Sequence, residues 1–165
     1  MFNIRYRQIL IIIIFILLIA GAIYYYLRKN IDGNLLFGSI GSLITIFFGY
    51  IKFQIENDTM FNQLFTDFNN RYTNKQNDLL NSLRNDDEYK FKTGEKNLIY
   101  DYFNLCAEEF LWFKKGRIPK RVWFAWENGI RENLKIPIIN EMFKAEILTK
   151  EGRTSFYGLP DYLGY

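Results

Sequence analysis

The sequence predicts an all-α protein in which an N-terminal transmembrane helical hairpin is followed by a stalk helix and a small soluble helical bundle. Three observations carry that expectation. Two long apolar runs fall before Phe53, apolar side chains beyond them return at steps of three and four residues, and no segment alternates as a half-buried strand would. The boundaries that follow are a hairpin over residues 1–53 and a helical domain over residues 54–165. The second part is long enough for one modest core but not for two.

Residues 9–27, ILIIIIFILLIAGAIYYYL, carry no charge. At about 1.5 Å of rise per residue such a run crosses a hydrocarbon core of about 30 Å. Residues 35–53, LLFGSIGSLITIFFGYIKF, have the same length and one lysine, Lys52, at the end where it can snorkel to the headgroups. Arg28, Lys29, Asp32 and Gly33 supply the polar turn between them. A secretory signal is the competing reading of the first run, since Arg5 and Arg7 precede it and Ala20, Gly21 and Ala22 resemble a cleavage site. The run nevertheless continues apolar through residues 23–27 and ends in a tyrosine belt suited to a membrane interface. Either way the second helix returns the chain inward. With Arg5 and Arg7 inside, the expected location is a bacterial inner membrane, multi-pass, with the C-terminal domain in the cytoplasm.

After the hairpin, Phe61, Phe65, Phe68, Tyr72, Leu79 and Leu83 form one stripe with Gln76 in the intervening slot. This predicts a stalk helix over about residues 55–84, its narrow seam suited to self-association or to packing on a neighbour. The polar face is rich in asparagine, so burial rather than propensity must hold the helix. Asn85, Asp86, Asp87 and Glu88 read as a break. From Glu95 a broad apolar face runs through Leu98, Ile99, Tyr102, Phe103, Leu105, Cys106, Phe110, Leu111 and Phe113, and Gly116 suits a left-handed cap. Pro119 and Pro137 each suit the first turn of a following helix, completing a bundle over about residues 95–148. The aromatic tail, residues 149–165, is punctuated by Gly and Pro and reads as an irregular strap.

The chain holds 21 Lys and Arg against 18 Asp and Glu, a net charge of +3, but the excess belongs to the membrane part. Beyond Phe53 acids and bases nearly cancel, so general nucleic-acid binding is not expected and any anion site must be local. One cysteine excludes an intrachain disulfide, and the absence of histidine removes the commonest metal ligand and general base. No catalytic residue, metal site or cofactor is expected. Cys106 lies in an apolar face, and the adjacent Glu108 and Glu109 point about 100° apart on a helix.

Two constellations stand out. On the second apolar helix Gly38, Ser42, Thr45 and Gly49 share a narrow face with Gly41 beside it, which permits close approach of another membrane helix within the chain or in a homo-oligomer. The stretch FLWFKKGRIPKRVWFAW, residues 110–126, sets cations between aromatic rings. Lys114 and Lys115 end a helix, where the dipole favours them, whereas Arg117, Lys120 and Arg121 surround a helix start, where it does not. A helix N-terminus with three cations is a plausible pocket for an anionic small molecule, and Trp112 and Trp123 are candidate stacking surfaces for a base. The competing reading makes the tryptophans core anchors and leaves the cations to solvate the turn or touch lipid headgroups.

The stretch IYDYFNLCAEEFLWFKKGRIPKRVWFAWENGI, residues 99–130, resembles uncharacterised bacterial membrane-anchored helical domains in which a KKGRI-like turn and a tryptophan-rich helix recur. FNQLFTDFNNRY, residues 61–72, is similar to segments of phage abortive-infection membrane proteins. In layout alone the chain resembles the ancillary membrane effectors of type III CRISPR systems, whose soluble domains bind cyclic oligoadenylate as oligomers. These resemblances imply no catalytic residues. Taken with the cations about Arg117, Lys120 and Arg121 and the lack of histidine, the expectation is a non-enzymatic sensor or effector, with antiviral defence as the setting the resemblances imply, that binds an anionic ligand or cyclic nucleotide and signals to an oligomeric hairpin. The alternative is a scaffold that recruits a protein partner through its aromatic face and tail.

Overall fold

A computed structural model of the chain describes residues 4–29, 32–86 and 88–165. The side chains of Arg5 and Arg7 and all of Asp87, which enter the expectations above, lie outside the described part. Every regular element among the described residues is helical: α1 Ile4–Lys29, α2 Gly33–Arg71, a π turn Tyr72–Gln76, α3 Asn77–Asn85, α4 Glu95–Lys114, α5 Lys120–Asn133, α6 Pro137–Glu146, α7 Lys150–Ser155 and α8 Leu159–Leu163. The chain divides into two compact units, Met1–Asp58 and Thr59–Tyr165.

In the first unit α1 and the beginning of α2 are both long and apolar enough to cross a membrane. Asp32 caps α2, its side chain accepting from the Asn34 N–H at 3.0 Å and its carbonyl from the Leu35 N–H at 3.0 Å. The half-buried residues Ile11, Phe15, Ile19 and Ala22 recur along α1 at helical steps, as Leu36, Ile40, Leu43, Phe47 and Tyr50 do along α2. Phe15 stacks on Phe47 with ring centroids 4.4 Å apart. Most other large apolar side chains described in this unit, among them Ile13, Leu17, Phe37, Ile46 and Phe48, are exposed. So continuous an apolar surface is costly in water and is what a helix presents to hydrocarbon.

The second unit has its own core, arranged about α4. Ile99, Tyr102, Phe103, Leu105, Cys106, Ala107 and Phe110 are all buried, so α4 is covered on more than one face. Phe68 of α2, Leu79, Leu80 and Leu83 of α3, Trp123 and Ile130 of α5, and Ile139 and Phe143 of α6 complete the cluster. Each fully buried side chain of this size contributes about 1.5–3 kcal/mol.

The stalk stripe packs within this unit. Phe65 stacks on Trp126 at 5.8 Å, Phe68 meets the same ring edge-on at 5.9 Å, and Tyr72 tilts against Tyr102 at 6.1 Å. Its helix is not one piece, because at Tyr72–Gln76 the hydrogen bonding widens and the Asn77 N–H reaches back to the Tyr72 carbonyl. Upstream there is no break at all. Residues 53–71 contain no Gly or Pro, and α2 runs through them uninterrupted.

The tail differs from an irregular strap by forming α7 and α8, with Phe156, Leu159 and Leu163 buried against the core. Thr149 caps α7 through the Gly152 N–H, and Arg153 bonds both Asp161 and the Tyr165 carbonyl. Gly152 is fixed by space, since a Cβ there would stand 1.9 Å from the Glu146 carbonyl oxygen.

Candidate functional site

The turn between α4 and α5 is built from the backbone outward. Gly116 takes a left-handed φ of 71°, its N–H bonds the Phe113 carbonyl at 2.8 Å, and the Arg117 N–H bonds the Trp112 carbonyl at 3.0 Å. This paired closure of a helix end satisfies two otherwise orphaned carbonyls. Ile118 is buried beneath the turn. Pro119 then precedes α5, and its carbonyl accepts from the Val122 and Trp123 N–H groups at 2.9 and 3.0 Å.

The cations on this frame divide by their contacts. Lys114 donates to the Tyr157 carbonyl at 3.2 Å and lies 5.5 Å from the centre of the Phe110 ring. Lys115 covers the ring of half-buried Trp112 at 4.7 Å. Arg117 is half-buried and already engaged. Lys120 and Arg121 are exposed on the first turn of α5 and, among the described residues, make no ion pair. Trp123 is 0 % exposed, lying nearly parallel to Phe113 at 5.0 Å. Its indole N–H donates to the Tyr162 hydroxyl at 3.2 Å, which donates to Glu127 at 2.8 Å. The face expected to meet a base is therefore occupied by the core. Of the expected residues, Lys120 and Arg121 lie exposed at the start of α5, while Arg117 is engaged and Trp112 is covered by Lys115.

On α2 the Ser42 hydroxyl bonds the Gly38 carbonyl and the Thr45 hydroxyl bonds the Gly41 carbonyl, each at 2.9 Å. A Cβ added to Gly38, Gly41 or Gly49 meets nothing within 4 Å. The small-residue ridge is thus open within the first unit.

Comparison of the chain with protein-family models, characterised proteins and solved structures finds no match. What the second unit can do is set by its own side chains, and the sequence gives the angle between Glu108 and Glu109 but not what each one meets. Glu108 accepts a forked pair of bonds from Arg71, Nη1 at 2.6 Å and Nη2 at 3.2 Å. Glu109 turns elsewhere, as adjacent helical residues must, and is only 8 % exposed. It lines a cavity of about 230 Å³ with Phe68, Tyr72, Tyr102, Trp126 and Gly129. Burial pushes its carboxyl up to about 8, against the pull of Arg71 and with the help of Glu108. Burial likewise holds the Cys106 thiol well above its ordinary range, with Glu109 adding to the effect, so that sulfur is not poised as a nucleophile. Among the described residues no three His, Cys, Asp or Glu side chains gather as a metal site would require.

Proposed function

We propose that this chain is a non-enzymatic membrane-anchored sensor or effector. Its first unit anchors it in a bacterial inner membrane, and its helical module responds in the cytoplasm to an anionic small molecule, cyclic and linear nucleotides being the first class to test. The observation that carries this reading is the pair Lys120 and Arg121, exposed at the start of a 14-residue helix without an ion pair among the described residues, while Lys114 and Lys115 are engaged. Like charge at the positive end of the helix dipole is unfavourable, and an anion would relieve it while meeting the first N–H groups. The antiviral setting rests on the resemblance of residues 61–72 to abortive-infection proteins and on the layout shared with type III CRISPR membrane effectors.

The test is thermal unfolding of the detergent-purified full chain with a panel of cyclic and linear nucleotides. A ligand should raise the melting temperature of the native protein and leave Lys120→Ala/Arg121→Ala unmoved while that variant retains its helical spectrum. An equal shift in both proteins would sink the site. The scaffold reading draws support from Phe124 and Leu148, exposed at 50 % and 85 %. The tail offers it less, because Phe156, Leu159 and Leu163 are already buried at home.

A further inference from the structure

The cavity beside Glu109 holds a combination that ordinary packing does not explain. A carboxyl buried among rings costs several kcal/mol when ionised unless something answers it. No group among the described residues donates a hydrogen bond to Glu109. The cation whose charge acts on it, Arg71, is committed to Glu108. The nearby amide of Asn133 is engaged elsewhere: its Nδ2 donates to the Tyr102 hydroxyl at 2.9 Å and its Oδ1 accepts from Arg84 at 2.5 Å. Asn69 is likewise turned away, its Nδ2 donating to the Phe65 carbonyl at 2.6 Å.

Around the acid the walls are aromatic. Phe68 and Trp126 meet at 81° on one ring pair, and Tyr72 and Tyr102 at 47° on another. The space between is kept open by Gly129, a glycine in mid-helix that costs α5 about 1 kcal/mol relative to alanine. No neighbour requires it, since a Cβ at Gly129 meets nothing within 4 Å. The volume of about 230 Å³ exceeds the ~150 Å³ cavity known to accept benzene.

We propose that this cavity is a binding site for a compact organic monocation, a protonated amine or quaternary ammonium about the size of one six-membered ring. The ligand's charge is met by the Glu109 carboxylate, its hydrocarbon by the faces of Phe68, Tyr72, Tyr102 and Trp126. Ring faces attract a cation most strongly where water is excluded, which is also where a lone carboxylate most needs one. The site is separate from the cations at the start of α5 and takes a ligand of opposite sign, so it stands or falls independently of the anion reading.

The experiment is calorimetric titration of the full detergent-solubilised chain with cyclohexylammonium chloride and, in parallel, with cyclohexanol, which matches it in size without the charge. The expected result is saturable binding of the ammonium, at least tenfold weaker binding of the alcohol, and at least a tenfold loss of ammonium affinity in Glu109→Gln with the alcohol unchanged. Equal affinity for alcohol and ammonium, undiminished ammonium binding by Glu109→Gln, or no saturable heat at millimolar ligand would each overturn the proposal. Gly129→Leu provides a second variant that fills the cavity from a helix-compatible position. It should abolish ammonium binding, and retained affinity in that protein would also overturn the site.

Discussion

Glu108 and Glu109 show how far one residue's environment departs from its neighbour's. Both are acids on one helix turn, yet one faces a guanidinium and the other an aromatic cavity. The Arg71 and Glu108 side chains are both more than a third exposed, so their pair adds at most about 1 kcal/mol. Glu109 sets the pH behaviour instead. Its folded value of about 8 lies above the ordinary 4.5, so below about pH 4.5 both folded and unfolded chains hold the proton and the full stability is present. Between 4.5 and 8 only the folded chain holds it, and stability falls with rising pH by at most about 1.4 kcal/mol per unit before levelling off. Arg71 opposes this trend and Glu108 reinforces it, while Cys106 lies close enough to feel the same charge. Denaturant titrations between pH 5 and 8 should therefore show a slope in the native protein that Glu109→Gln flattens, and parallel profiles would refute the assignment. Neither acid's role was legible in the sequence. A helix wheel gives the angle between them, but which side of α4 is covered depends on α2 and α5 arriving there.

Among the elements, the longer helices have ends that the sequence marks, whether by Gly and Pro or by the polar run after α3, which ends at Asn85. Gly116, Pro119 and Pro137 marked the end of α4 and the starts of α5 and α6, because each constrains the backbone irrespective of tertiary context. The π turn had no such marker. Its residues Thr73, Asn74 and Lys75 are compatible with an ordinary helix, and the stripe from Phe61 to Leu83 keeps its steps of three and four across the irregularity. The tail's two short helices were missed for a related reason. Six and five residues are too few for periodicity to register; α7 is held by its Thr149 cap and α8 by the burial of Leu159, Pro160 and Leu163. The same logic gives opposite signs to one substitution at two glycines. Gly116→Ala forces a Cβ into the left-handed region and should cost about 1–2 kcal/mol. Gly129→Ala removes a flexible residue from mid-helix without a clash and should stabilise by up to about 1 kcal/mol. Thermal melts of the two variants moving in the same direction would contradict this account.

At the scale of the whole molecule, the two units meet their solvents differently. The second encloses its large side chains, whereas the first leaves most of its own exposed and uses only one seam to pair α1 with α2. That seam carries large residues such as Phe15 and Phe47, not the ridge of Gly38, Gly41 and Gly49. The sequence left open whether the ridge serves its own hairpin or a second copy. The open space around it supports the second choice as a proposal. If copies associate there, cross-linking in mild detergent should trap oligomers of the native chain, and Gly41→Leu/Gly49→Leu should return it to monomer. Unchanged cross-linking would place association elsewhere or remove it. The buried sulfur of α4 has a further consequence. Cys106 is the single thiol of the chain and is enclosed within the second unit. Its alkylation by a bulky maleimide must therefore wait for that unit to open. The labelling rate is a clock for native-state opening, and any ligand that holds the module shut should slow it without a reporter having been introduced.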